Sequence, residues 1–216
     1  MNNKINVAID GPAGAGKSTI AKIIAKNLGL MYINTGAMYR AVTLKALEYK
    51  ISSSDISKLE DLIDNMEIHF DNDDLILNGK NINDKLTMPE ITKNVSEYAS
   101  IKEVRVKLVD LMRKMSSKFN VIMDGRDIGT VVLKDAKYKF FLTASAEERA
   151  DRRYKELLEK GLKVDYKEIL DDIIRRDEYD STREVDPLRK AEDALEIDTT
   201  GLNIEEVVLK ISSYIK

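Results

Sequence analysis

The sequence predicts an α/β fold: a five-stranded parallel sheet flanked by helices, with a small antiparallel β insertion and a short helical lid. Three observations lead there. Short apolar runs rich in β-branched residues alternate with stretches of helical period, the pattern of parallel strands joined by crossover helices. One block, about residues 52–85, breaks that rhythm with hairpin signals. Near the start, "VAIDGPAGAGKST" passes from a strand pattern to a helix pattern through a glycine-rich turn.

Taken in order, "KINVAI" reads as a buried strand ended by "DGPAG". The helix after it carries Ile20, Ile23, Ile24 and Leu28 on one face and stops near Gly29. "LMYI" is a second strand, and "NTGAMYRAVTLKALEY" a helix with Ala41, Leu44 and Leu47 at core spacing. A short acidic helix (Leu59, Leu62, Ile63) leads into "EIHFDNDDLILNGKNIN", whose "DNDD" and "NGK" mark an antiparallel insertion. "TMPE" and "SIKE" match capping boxes. An unbroken helix over 90–116 would put Ser96 and Arg105 on opposite faces, whereas two helices meeting near Ser100 bring them together. "NVIMDGRDIG", "KYKFFLTAS" and "ALEIDTT" supply the remaining core strands. The helices that follow begin with box matches at Ser145–Glu148, Asp165–Glu168 and Asn203–Glu206. No repeat and no low-complexity linker interrupts the chain.

The bulk numbers exclude several classes. With 216 residues the chain can bury a full core, and no segment reaches the apolar length of a membrane span. There are no cysteines, so disulfides, thiolate catalysis and Cys-ligated zinc are absent. A net charge of −3 argues against a nucleic-acid binder, so phosphate binding is expected to be local. "MNNKINVAID" lacks the basic, apolar and small-residue order of a signal peptide, and a cytoplasmic protein is expected.

Gly11, Pro12, Ala13, Gly14, Ala15, Gly16, Lys17 and Ser18, with Thr19 after them, match G-x-x-x-x-G-K-[ST] between a predicted strand and a predicted helix. Glycines let successive N–H groups curl into an anion cradle, and the helix N-terminus adds positive potential. Lys17 would reach the β and γ phosphates and Ser18 would ligate Mg²⁺. The fold is therefore of the P-loop nucleotide-binding type. The loop alone fixes no reaction. A GTPase should carry N-K-x-D downstream, which is missing, and the one D-x-x-G match, "DTTG" at Asp198, lies too close to the C-terminus for a switch.

Four further stretches pair arginine with polar partners: "NTGAMYR", "DGRD", "EERADRR" and "RDEYDSTR". On one helix face, Arg176, Asp180 and Arg183 are expected to hold a carboxylate between two guanidiniums. Any one cluster reads as a solvated surface pair, but four in a phosphate-loop protein read as the fixed cations of phosphoryl transfer. Asp124, closing the run "VIM", is placed to hold a metal-bound water. The single histidine, His69, sits in the predicted insertion and is read as structural.

These residues together resemble the bacterial cytidylate kinases, nucleoside monophosphate kinases that transfer the ATP γ-phosphate to CMP and dCMP. The resemblance runs nearly end to end, through "IDGPAGAGKST", "TGAMYRA", "DGRDIGTVV", "SAEERADRR", "RRDEYDSTR" and "DTTGLNIEEVV". It implies ATP on residues 11–19, with Mg²⁺ at Ser18 and Asp124. It implies that Arg40, Arg126 and Arg183 bind the acceptor phosphate, and that Ser96, Arg105 and Asp127 read cytosine with Thr35 and Tyr39 nearby. Arg176 and Asp180 would hold the sugar, while Arg149, Arg152 and Arg153 would belong to a lid that meets the phosphates on closure. Lys17, Arg126, Arg183, Arg149 and Arg153 form the implied catalytic set. The expected division is a core of 1–50, 118–146 and 188–216, an acceptor region 51–117 and a lid 147–187, acting as a monomer on small molecules. Two departures stand out: Asn34 where the family has Asp, and no proline between Ser96 and Arg105. The rival readings are a UMP or AMP acceptor, or a nucleotide-dependent switch.

Overall fold

The computed structural model describes residues 4–215; residues 1–3 and 216, at the ends of the expected core segments, lie outside the described residues. The central sheet consists of β1 (Asn6–Asp10), β2 (Met31–Asn34), β6 (Val121–Gly125), β7 (Tyr138–Thr143) and β8 (Leu195–Asp198). Their order is β2-β6-β1-β7-β8, and every pairing is parallel. The continuous apolar run of β1 follows from its position. Val7 and Ile9 pack on one face with α1 (Lys17–Leu28) and α9 (Ile204–Ser212), while Ala8 packs on the other with α2 (Thr35–Glu48), and all three are fully buried. With both faces covered, no polar alternation survives. α1 buries Ile20 and Ile24 and closes on Gly29 in the left-handed region, but Leu28 turns outward at 39% exposure.

After α2 come α3 (Ile56–Asp64) and the insertion, β3 (Ile68–Asp71), β4 (Asp74–Leu77) and β5 (Lys80–Asn81), which pair antiparallel. Ile68, Phe70, Leu75 and Leu77 point into the core, and His69 points to solvent, as period-two alternation on a one-sided sheet requires. "NGK" makes the expected turn, with Asn78 and Gly79 both at positive φ.

A one-turn helix α4 (Asn83–Leu86) leads to α5 (Pro89–Ser100) and α6 (Lys102–Lys118). The break falls where it was expected, but neither predicted box forms. The cap between α5 and α6 is Ile101, extended at ψ 123°, and Ser100 Oγ donates to Glu97 O instead. Thr87 Oγ1 donates back to Asp84 O, leaving Met88 as the cap and Pro89 to open the helix. Leu108 and Met112 of α6 are fully buried beneath the sheet, where truncation to alanine costs about 2–5 kcal/mol. That packing holds the rest of the helix, including Arg105, in place.

A π-helical turn, Ile128–Val132, follows β6. α7 (Ala146–Glu159) and α8 (Tyr166–Thr182) pack as a pair, with Tyr154 and Tyr166 edge to face at 5.9 Å. Their caps are the predicted ones: Ser145 accepts from Glu148 N and Asp165 from Glu168 N, while Asn203 and Glu206 complete a full box at α9. No helix among the described residues is long and apolar enough to cross a membrane.

Candidate active site

The loop after β1 turns so tightly over β7 that a Cβ on Gly11, at φ 145°, would sit 2.1 Å from Leu142 O. Only glycine fits. The loop ends at Gly16, left-handed at φ 81°, and Lys17 opens α1 with its ammonium donating to Pro12 O at 2.7 Å. Burial first, and then the Arg126 cation, hold Lys17 well below the usual lysine range. An anion in the loop would relieve both penalties.

Behind the loop, Asp124 closes β6. It accepts from Ser18 Oγ at 2.8 Å and from Tyr32 OH at 2.7 Å, while its carbonyl accepts from Thr35 Oγ1 at 2.7 Å. Asn34 caps α2 by accepting from Ala37 N, a job that its amide oxygen does without a charge.

A cavity of about 170 Å³ opens in front of these groups at the carboxyl ends of the strands. Ala13, Gly14, Lys17, Ser18 and Asp124 line one end. Thr35, Tyr39, Arg40, Ser96, Arg105, Arg126, Asp127, Arg176, Asp180 and Arg183 line the rest, drawn from α2, α5, α6, the β6 turn and α8. Six basic side chains face three carboxylates there, an excess of three positive charges. Among the described residues the Arg40 guanidinium makes no hydrogen bond or ion pair, and burial followed by Arg126 lowers its pKa. Arg176 is pushed down to about 10 by burial and then Arg126. Among the described residues its Nε and the Tyr39 hydroxyl are buried without a hydrogen-bond partner.

Asp180 anchors this arrangement, but not as expected. Arg183 lies beyond the end of α8 and turns to Asp127 and to the Asp186 carbonyl, while Asp180 accepts from Arg126 Nε at 2.7 Å with Arg176 at 4.0 Å. Burial raises the Asp180 carboxyl, yet Arg126 and Arg176 outweigh it and hold it below its ordinary value. At the far end Arg105, 1% exposed, binds Asp127 and Asp186 and lies 5.4 Å over the Tyr39 ring. Burial pulls its pKa down, but Tyr39 and the two carboxylates carry it upward.

A family model described as cytidylate kinase matches residues 7–216. The curated cytidylate kinase of Clostridium perfringens (strain SM101 / Type A) is 72% identical over 216 residues, all of both chains.

The chain belongs to the cytidylate kinase family.

The cytidylate kinase of Clostridium acetobutylicum ATCC 824 is 60% identical over 212 residues, 98% of each chain. Among solved structures, an uncharacterized protein from Eubacterium ventriosum ATCC 27560 shares the fold at TM-score 0.55 and 15% identity, covering 98% of each chain.

The three α7 arginines divide among different partners. Arg149 is buried behind the phosphate loop, donating to Ala13 O at 2.8 Å and pairing with Asp177 at 2.6 Å. Arg152 donates to Thr199 O at 2.7 Å, and Arg153 pairs with Glu156 at the surface. None of the three lines the cavity, and neither does Thr19, which is exposed. Sequence reasoning also missed two buried polar residues of this cytidylate kinase family member, one an acceptor and one a donor. Asp10 receives Ile128 N and Gly129 N at 2.7 Å each and so pins the turn that carries Arg126 and Asp127. Tyr32 orients Asp124. For Asp10 a signal existed: like Asp124, it is an acid closing an apolar strand.

Proposed function

We propose that this protein transfers the γ-phosphate of ATP to CMP and dCMP, giving CDP and dCDP with ADP. The observation that carries the reading is one continuous cavity, with the phosphate loop at one end, a polar pocket at the other, and an unneutralised positive charge between. In this reading residues 11–19 hold ATP on the N–H groups at the start of α1, and Lys17 bridges the β and γ phosphates. Arg40, Arg126 and Arg183 grip the acceptor phosphate, and Arg176 with Asp180 faces the sugar. An acceptor phosphate oxygen attacks the γ-phosphorus in line, and the new O–P bond forms as the bond to ADP breaks. That oxygen is already deprotonated near neutral pH, so the catalytic set Lys17, Arg126 and Arg183 has only to position and to stabilise charge.

Ser96, Arg105 and Asp127 complement the N4 amine, N3 and O2 of cytosine. Uracil reverses two of those groups and would leave buried partners unpaired, which is the physical basis for discrimination. Ser18 Oγ and Asp124 Oδ2, 2.8 Å apart, are the few hard oxygen donors that Mg²⁺ takes when phosphates and water complete its shell. Bound there, the ion neutralises charge on the phosphates. Residues 147–187 act as the lid over the acceptor region 51–117 and the core, and Arg149 and Arg153 reach the phosphates only when it closes. A cytoplasmic monomer working on small molecules, without nucleic acid or membrane, completes the reading.

The test is ADP release from ATP and Mg²⁺ with CMP, dCMP, UMP, AMP or no acceptor. Turnover with CMP and dCMP alone supports the assignment. Turnover indifferent to every acceptor overturns it and leaves a nucleotide-dependent switch.

A further inference from the structure

We propose that Asp186, which lies outside the cavity, is the positioning residue that fixes Arg105 at the base end of the acceptor pocket and ties it to Arg183. The inference rests on the base pocket proposed above.

Arg105 is almost wholly buried, and each of its three guanidinium nitrogens donates to a protein acceptor, which leaves two of its five N–H groups for a ligand. Nε donates to Asp186 Oδ2 at 2.8 Å, Nη1 to Ala99 O at 3.0 Å, and Nη2 to Asp127. Asp127 itself lines the cavity and so is engaged with whatever binds there. Asp186 does not line it, and its carboxylate is free to act on Arg105 alone. A planar guanidinium held along its Nε edge by an ionised acceptor cannot swing about its long side chain, whereas one held only by Ala99 O and Asp127 follows Asp127.

The backbone of the same residue performs a second task. Its carbonyl accepts from Arg183 Nε at 2.8 Å and from Arg183 Nη2. Asp186 adopts φ 48°, a left-handed conformation uncommon outside glycine, and Pro187 restricts it further. Such a residue persists where its surroundings over-determine it. Here the surroundings are two arginines, one on α6 and one just past α8, joined through a single side chain and its own carbonyl. The end of the lid region is thereby coupled to the base pocket.

The variants D186G and D186N separate the two tasks, because both residues accept a left-handed backbone and both keep the carbonyl for Arg183. Melting curves first establish that each variant folds. We expect D186G to raise KM for CMP about tenfold and to lower the CMP-to-UMP ratio of kcat/KM by a similar factor, with kcat and KM for ATP within about twofold of wild type. D186N keeps an uncharged acceptor oxygen and is expected to raise KM for CMP about threefold. D186G with unchanged KM for CMP, or with KM for ATP raised equally, overturns the proposal. If the glycine variant does not fold, D186N decides alone: an unchanged CMP-to-UMP ratio overturns it. Wild-type protein without CMP-dependent turnover would instead refute the base pocket, an outcome distinct from any of these.

Discussion

Replacing Arg126 by alanine perturbs two things that the structure allows to be separated. Arg126 Nε holds Asp180, whose side chain is 7% exposed, at 2.7 Å, and without it the carboxylate's one remaining ion pair among the described residues is with Arg176 at 4.0 Å. Breaking a buried pair from one side costs about 3 kcal/mol here, the low end of the usual range because Arg126 is itself 17% exposed. For a chain of this length that lowers Tm by roughly 6–12 °C. The catalytic loss is a different quantity. If the outer nitrogens of Arg126 fork onto a phosphate, two charge-assisted hydrogen bonds of about 1.5–3 kcal/mol each disappear, and turnover falls by roughly 10²–10⁴-fold. R126K tells the two apart. A lysine can restore a cation beside Asp180 and most of the lost stability, but it has no planar fork and stays at least about tenfold slow. ADP release at saturating ATP and CMP, with melting curves for each variant, gives both numbers. R126A within about tenfold of wild type, or R126K at full rate, would refute the reasoning.

Other perturbations follow from the same geometry. A Cβ on Gly125 would meet Ile128 Cδ1 at 2.6 Å and Thr35 Oγ1 at 2.7 Å. G125A is therefore expected to break the Thr35 bond to Asp124 O and to cost about 1–3 kcal/mol, read as a lower urea midpoint with raised KM for CMP. Burial pushes the Asp10 carboxyl from 3.8 up to about 7, against the pull of the Gly129 and Ile128 N–H groups. A carboxyl raised in the folded state contributes stability that is complete below about pH 4 and is lost as pH rises through about 7. Urea titrations across that window should show wild-type stability falling more steeply than that of D10N, and parallel slopes would contradict the assignment. Chelating Mg²⁺ with EDTA should stop ADP release and excess Mg²⁺ should restore it, whereas S18A should need several-fold more Mg²⁺ for half-maximal rate.

Much of this was legible in the chain. β1, β6 and β7 are buried on both faces, so their apolar runs announce them without any knowledge of their neighbours. The phosphate loop is legible because its glycines and Lys17 are local in sequence and answer to one local demand, an anion at a helix N-terminus. The caps at Ser145, Asp165 and Asn203 were readable for the same reason. The "TMPE" and "SIKE" boxes failed because a cap competes with other local partners. Ser100 found Glu97 O and Thr87 found Asp84 O, and Pro89 and Ile101 set the helix ends by backbone conformation alone.

The sequence by itself thus determined the elements, the loop and the residue types that the site would need. Tertiary structure alone decided which cation meets which carboxylate. Spacing on a helix put Asp180 with Arg176 and Arg183, yet its partner at 2.7 Å is Arg126, 54 residues away. Asp10 reaches Ile128 N across 118 residues, and Arg105 reaches Asp186 across 81. Helical periodicity speaks only for neighbours three or four positions apart. A buried charge is settled by whichever opposite charge the packed sheet and its crossover helices bring within reach, and no local pattern records that distance.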